Sequence, residues 1–142
     1  MSRVKFQSLF IVLFAGLVSC NHENHPVSGY IKKDLSEQMD ALQVYQGSIG
    51  EEIKKGKPGD ALWLVEGMDS VMQMIMERQN EHKNLKKPFS DYYESKMERP
   101  IGLLKMAIKD LDTSAAHRAY RILVRNCNSC HNEHDVEERA HY

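Results

Sequence analysis

The sequence predicts an all-α chain, folded as an up-down-up-down four-helix bundle. Two observations carry this. Apolar residues recur at steps of three and four along four separate stretches, the repeat that puts them on one face of a helix. The stretches are joined by short segments with breakers, and short connections make successive helices antiparallel neighbours. At 142 residues the chain is long enough for one domain with a real core. Its formal net charge of −1 gives no electrostatic footprint for nucleic acid.

The first expected helix runs from about Ser28, a reasonable N-cap, to Lys55. Its face is Ile31, Leu35, Met39, Leu42, Ile49 and Ile53. Gly47 and Gly50 weaken it by up to about 1 kcal/mol each relative to alanine, unless close packing requires them. The run from Lys54 to Gly59 ends it with basic residues and breakers. Asp60 is the expected cap of a second helix reaching about Asn80, with Leu64, Met68, Val71, Met72, Ile75 and Met76 inward and Trp63 at the far end of the bundle. A methionine stripe at this spacing reads first as core filler.

Residues 81–90 read as a basic, solvated turn containing His82, Lys83, Lys86, Lys87 and Pro88. Asp91 with Glu94 is similar to a capping box and opens the third helix. Its face is Tyr93, Met97, Ile101, Leu104, Ile108 and Leu111. Pro100 either kinks this helix or splits it in two. Asp112-Thr113-Ser114 supplies N-cap chemistry for the fourth, which runs to about Glu138 with Ala116, Ala119, Leu123, Cys127 and Cys130 on one face.

Ahead of the helices stands a different kind of segment. Arg3 and Lys5 precede an apolar run from Leu9 to Val18, too short to span a bilayer. It ends in Leu17-Val18-Ser19-Cys20, which resembles the lipobox of bacterial lipoproteins. That resemblance implies cleavage after residue 19 and acylation of Cys20, an anchor that is stable once several chains are present. Residues 1–19 are then a leader, 20–27 a lipidated tether, and 28–142 the folded domain. His22 and His25 read as solvated tether residues. The expected location is extracytoplasmic, on a bacterial membrane.

The chemistry concentrates in Cys127-Asn128-Ser129-Cys130-His131, which reads as C-x-x-C-H, the attachment signal for a c-type haem. At about 100° per residue the two thiols and the imidazole share one stripe of a helix. The thiols can form thioethers with two vinyl groups of one porphyrin, leaving His131 as proximal iron ligand. Export to an extracytoplasmic compartment agrees with that attachment. The competing readings are a zinc site extended by His134, which lacks a second ligand pair elsewhere, and a bare dithiol.

In an up-down bundle the end of the fourth helix lies beside the start of the first, the end of the second and the start of the third. The expected haem pocket is therefore Ile31, Leu35, Met39, Met72, Met76, Tyr93 and Met97. Met39 is the best-placed distal ligand, or else a core methionine packed on the porphyrin. His134 is on the wrong side, and His117 is about 21 Å away along the helix.

A four-helix bundle with C-x-x-C-H near its C-terminus resembles the cytochrome c′ family, over the chain from about Ser28 onward. The stretch from Met39 to Gly56, followed by Lys57-Pro58-Gly59-Asp60-Ala61, is similar in layout to that family's first helix and turn. The resemblance implies haem on Cys127 and Cys130, His131 as proximal ligand, Met39 at or near the distal position, an iron open on one face, and a homodimer. The chain departs from the pattern at Leu35, where the family usually has arginine, and at His134-Asp135, where it often has an aromatic and a basic residue. Arg121 and Arg125 stand as substitute propionate partners.

Three functions compete. A membrane-tethered electron carrier, passing electrons to a redox partner protein, predicts iron between His131 and Met39. A gas-binding protein predicts an open distal face. A haem-free lipoprotein predicts zinc or a disulfide at the cysteines. No set of general acid, base and nucleophile points to an enzyme.

Overall fold

The computed structural model describes residues 34–142. The expected leader, Cys20, the tether, and Ser28 and Ile31 of the first expected helix lie outside the described residues. Four helices and no strands make up the described chain: α1 (Leu35–Lys54), α2 (Leu62–Arg78), α3 (residues 89–109) and α4 (Thr113–Glu133). None of the described helices is long and apolar enough to cross a membrane.

The helix ends differ from the sequence expectation for local reasons. α1 begins, among the described residues, at Leu35, because Asp34 leaves the helical conformation and its carboxylate accepts the Leu35 N–H at 2.7 Å. Past its end, Gly56 sits at φ +71°, the left-handed region where glycine carries no Cβ penalty. Asp60 does not cap α2; it lies inside a 3₁₀ turn, Pro58–Ala61, that leads into the helix. α3 starts at Phe89, ahead of Asp91, and borrows its cap from Asn80. The Asn80 carbonyl accepts the Phe89 N–H and its side-chain Oδ1 accepts the Ser90 N–H, both at 2.8 Å.

Pro100 neither ends nor splits α3. The helix is α over Phe89–Tyr92, π over Tyr93–Met97 and α again over Glu98–Lys109. Proline lacks the N–H that would bond the carbonyl four residues back, and its ring crowds that carbonyl. The widened turn just before it, closed by the Glu98 N–H on the Tyr93 carbonyl, relieves the crowding. The freed carbonyl of Lys96 instead accepts from the Asn126 side-chain amide on α4. Asn126→Ala should leave that carbonyl unpaired and cost about 1–3 kcal/mol, read as a lowered thermal midpoint.

The α3–α4 turn departs as well. Leu111, expected inward, is 69% exposed and lies at φ +54°. Asp112 then caps α4, its carboxylate accepting the Ala115 N–H at 2.8 Å. α4 stops at Glu133, short of Glu138, and the chain reverses at Asp135 (φ +57°). Residues 136–142 run back along α4, and the Tyr142 hydroxyl donates to the Arg121 carbonyl at 3.3 Å.

α1 packs on α2, α2 on α3, α3 on α4, and α4 on α1. The shared core includes Ile49 and Ile53, Val65 and Ile75, Leu104 and Ile108, and Leu123 and Val124, all at most 1% exposed. Burying each such aliphatic side chain contributes roughly 1.5–3 kcal/mol. Two polar clamps cross it. The Tyr93 hydroxyl donates to Asp69 at 2.7 Å and Lys105 pairs with the same carboxylate at 2.6 Å, tying α2 to α3. The Tyr120 hydroxyl on α4 donates to the Gln46 carbonyl on α1 at 3.0 Å.

Burial pushes both Tyr93 and Tyr120 up to about 12. Unfolded, each would lose its proton near the usual 10. The folded chain therefore binds more protons between these values, and stability should fall as pH rises from about 10 to about 12. Alkaline unfolding followed by circular dichroism and tyrosinate absorbance checks this. Tyr93→Phe with Tyr120→Phe should flatten the slope.

Candidate cofactor site

The C-x-x-C-H motif occupies the last turns of α4 and opens on a cavity of about 320 Å³. The cavity is bounded by the start of α1, the middle of α2, the start of α3, the end of α4 and the returning tail. Cys127, Cys130 and His131 all line it, as the helical repeat requires for residues three and four apart. Both thiols are free and half-buried. Burial pushes Cys127 up to about 12 and also raises Cys130, so both are protonated at neutral pH.

The residues expected to wall the pocket divide between the cavity and the rest of the core. Leu35 and Met39 from α1, Met72 from α2 and Met97 from α3 line the cavity. Two expected residues do not. Tyr93 turns to Asp69, and Tyr92 takes its place. The reason is the π turn. It aligns residues five apart, so Tyr92 and not Tyr93 shares a side with Met97. Met76 packs against the core outside the cavity, and Leu85 from the α2–α3 connection and Phe89 from the first turn of α3 line it instead. Trp63 is exposed at the start of α2, away from the cavity. Arg121 lies over the Tyr142 ring, and Arg125 lines a shallow surface groove; neither lines the cavity.

His131 is held by the tail. A carbonyl can only accept, so the 2.7 Å contact from its Nδ1 to the Glu138 carbonyl fixes the proton on Nδ1. Nε2 keeps the free lone pair, the state that a metal-ligating imidazole needs. His134, expected on the same side as His131 and so not as a distal ligand, lines the same cavity. Both its ring nitrogens are buried without a hydrogen-bond partner, and it meets Tyr92 edge-on at 5.2 Å. Burial, then the charge of Lys86, holds its imidazolium below the usual range.

Other lining residues have no signal in the sequence. His82, read as part of a solvated turn, has a side chain only 15% exposed. Its Nδ1 accepts the Asn84 N–H at 3.2 Å, so Nε2 carries the proton and faces Asp34 at 3.4 Å. Lys96 reaches from α3 to Ser129 at 3.0 Å and to Glu133, pinning α3 against the motif. Lys96 holds the Glu133 carboxyl below its usual range. Among the described residues, no group of three or more His, Cys, Asp or Glu side chains is arranged to hold a metal ion.

The donor set suits a porphyrin. Two neutral thiols sit on one helix stripe, one imidazole has its Nε2 free, and thioether and aliphatic groups stand across an apolar cavity. No protein-family model, curated protein or solved structure matches the chain.

Proposed function

We propose that the chain is a c-type haem protein, an extracytoplasmic electron carrier anchored by lipid at Cys20 and folded as an up-down-up-down bundle like the cytochromes c′. The observation that carries this is one cavity shared by Cys127, Cys130, His131 and Met39. The helix order of the bundle draws support from the ring of neighbours, α1 on α2, α2 on α3, α3 on α4 and α4 on α1. The location rests on the apolar leader and the Leu17-to-Cys20 segment.

Each residue has a role in this reading. Cys127 and Cys130 would hold the porphyrin through two thioethers, each S–H adding across one vinyl C=C with no leaving group. His131 would hold the iron through Nε2. Met39 is the candidate second ligand through its thioether. When bound, haem supplies a one-electron couple, and a His/Met pair raises its potential. The buried apolar wall of Leu35, Met68 and Met72 excludes water from it.

A gas-binding protein is the second reading, and that same apolar wall favours it should Met39 only pack. A zinc or dithiol site draws less support, because structural zinc usually takes its ligands as two separate pairs and the sequence offers no second pair to join Cys127 and Cys130. Visible spectra of matured protein, with carbon monoxide added to the reduced form, separate the readings. Electron transfer expects a low-spin spectrum that carbon monoxide does not move, and Met39→Ala should make it respond. A high-spin spectrum that shifts selects gas binding. No Soret band overturns the haem reading.

A further inference from the structure

The haem linkage uses no atom of Asn128, the first spacer residue of the motif, yet its side chain is fully engaged. Its Nδ2 donates to the Ala140 carbonyl at 3.0 Å, and its Oδ1 accepts the Ala140 N–H at 2.8 Å. This is the double exchange that a paired strand residue makes, supplied here by one amide. It seizes the tail two residues after Glu138, whose carbonyl holds His131 Nδ1 at 2.7 Å. Asn128 is also three residues before His131, so both face the same stretch of tail. Further along, the His141 carbonyl accepts from Gln46 Nε2 at 2.6 Å and from the Tyr120 hydroxyl at 3.3 Å. The tail is thus tied to both α1 and α4.

We infer that Asn128 is a positioning residue: it latches the C-terminal tail across the motif, and the latched Glu138 carbonyl sets the tautomer and donor strength of His131. This rests on the haem reading, since donor strength matters only toward an iron. A hydrogen bond from Nδ1 raises the basicity of a ligating imidazole. A more basic ligand favours the oxidised metal, so the latch lowers the reduction potential. Release lets the ring turn and share its proton with water.

The test is Asn128→Ala in the full, haem-loaded chain, with Ala140→Pro as an independent variant that removes the N–H donor from the tail side. Intact mass reads haem attachment. Amide hydrogen exchange over residues 136–142 reads the latch, and NMR of the reduced, low-spin protein reads exchange of the His131 Nδ1 proton. Both variants should keep the haem mass and exchange these protons faster. Their reduction equilibrium should shift toward the reduced form by up to about tenfold, which is 59 mV for one electron. A freed tail with unchanged potential and Nδ1 exchange would overturn the inference, and so would a tail that stays protected in both variants. Wild-type chain without haem mass sinks the parent reading instead, and in that chain the latch is still read from amide exchange over residues 136–142.

Discussion

Replacing Cys127 and Cys130 together with alanine is expected to abolish covalent haem. Intact mass should fall to that of the acylated chain, and haem absorbance should no longer follow the polypeptide through denaturation. Either single variant should keep one thioether and its haem mass. The fold should survive, because alanine is the best helix former and both positions lie, partly buried, at the cavity edge of α4. Helical circular dichroism near wild type, with the cofactor gone, separates loss of the clamp from loss of the domain. If matured wild-type protein weighs no more than its acylated chain, there is no clamp to lose.

The second large effect is a sign reversal within one turn of α1. A Cβ on Gly50 would meet the Tyr120 ring at 2.9 Å from Cζ, and closer still to its hydroxyl. Tyr120 is 3% exposed and hydrogen-bonded to the Gln46 and His141 carbonyls, so it has no free rotamer to yield to. Gly50→Ala should therefore destabilise by about 1–3 kcal/mol through overpacking, despite a gain in helix propensity. A Cβ on Gly47 meets nothing within 4 Å. Gly47→Ala should stabilise by up to about 1 kcal/mol. Thermal or denaturant unfolding of the two variants checks both signs. Equal effects would mean that the close approach of α1 and α4 at Gly50 has been misread.

These two glycines show where sequence reasoning ran out. Both weaken the same helix by the same local rule, and only the partner helix says which one is needed. The π turn is a similar case. The repeat at steps of three and four correctly put Met97, Ile101, Leu104 and Ile108 on one face, but one extra residue per turn before Pro100 moved Tyr93 off the cavity and Tyr92 onto it. Asn80 replaced Asp91 as the cap of α3, because a cap is defined by which side chain reaches a free N–H, and several polar residues near the boundary compete.

By itself the sequence determined the helical class, the four apolar faces and the spacing of Cys127, Cys130 and His131 on one stripe. All of these follow from the 3.6-residue period, which is a property of the backbone alone. Only the tertiary structure decided the partners across space: the tail carbonyl on His131, the Asn128 latch, the His82–Asp34 pair and the burial that raises both thiols. These depend on long-range contacts and on burial, and neither has a period that a linear reading can detect.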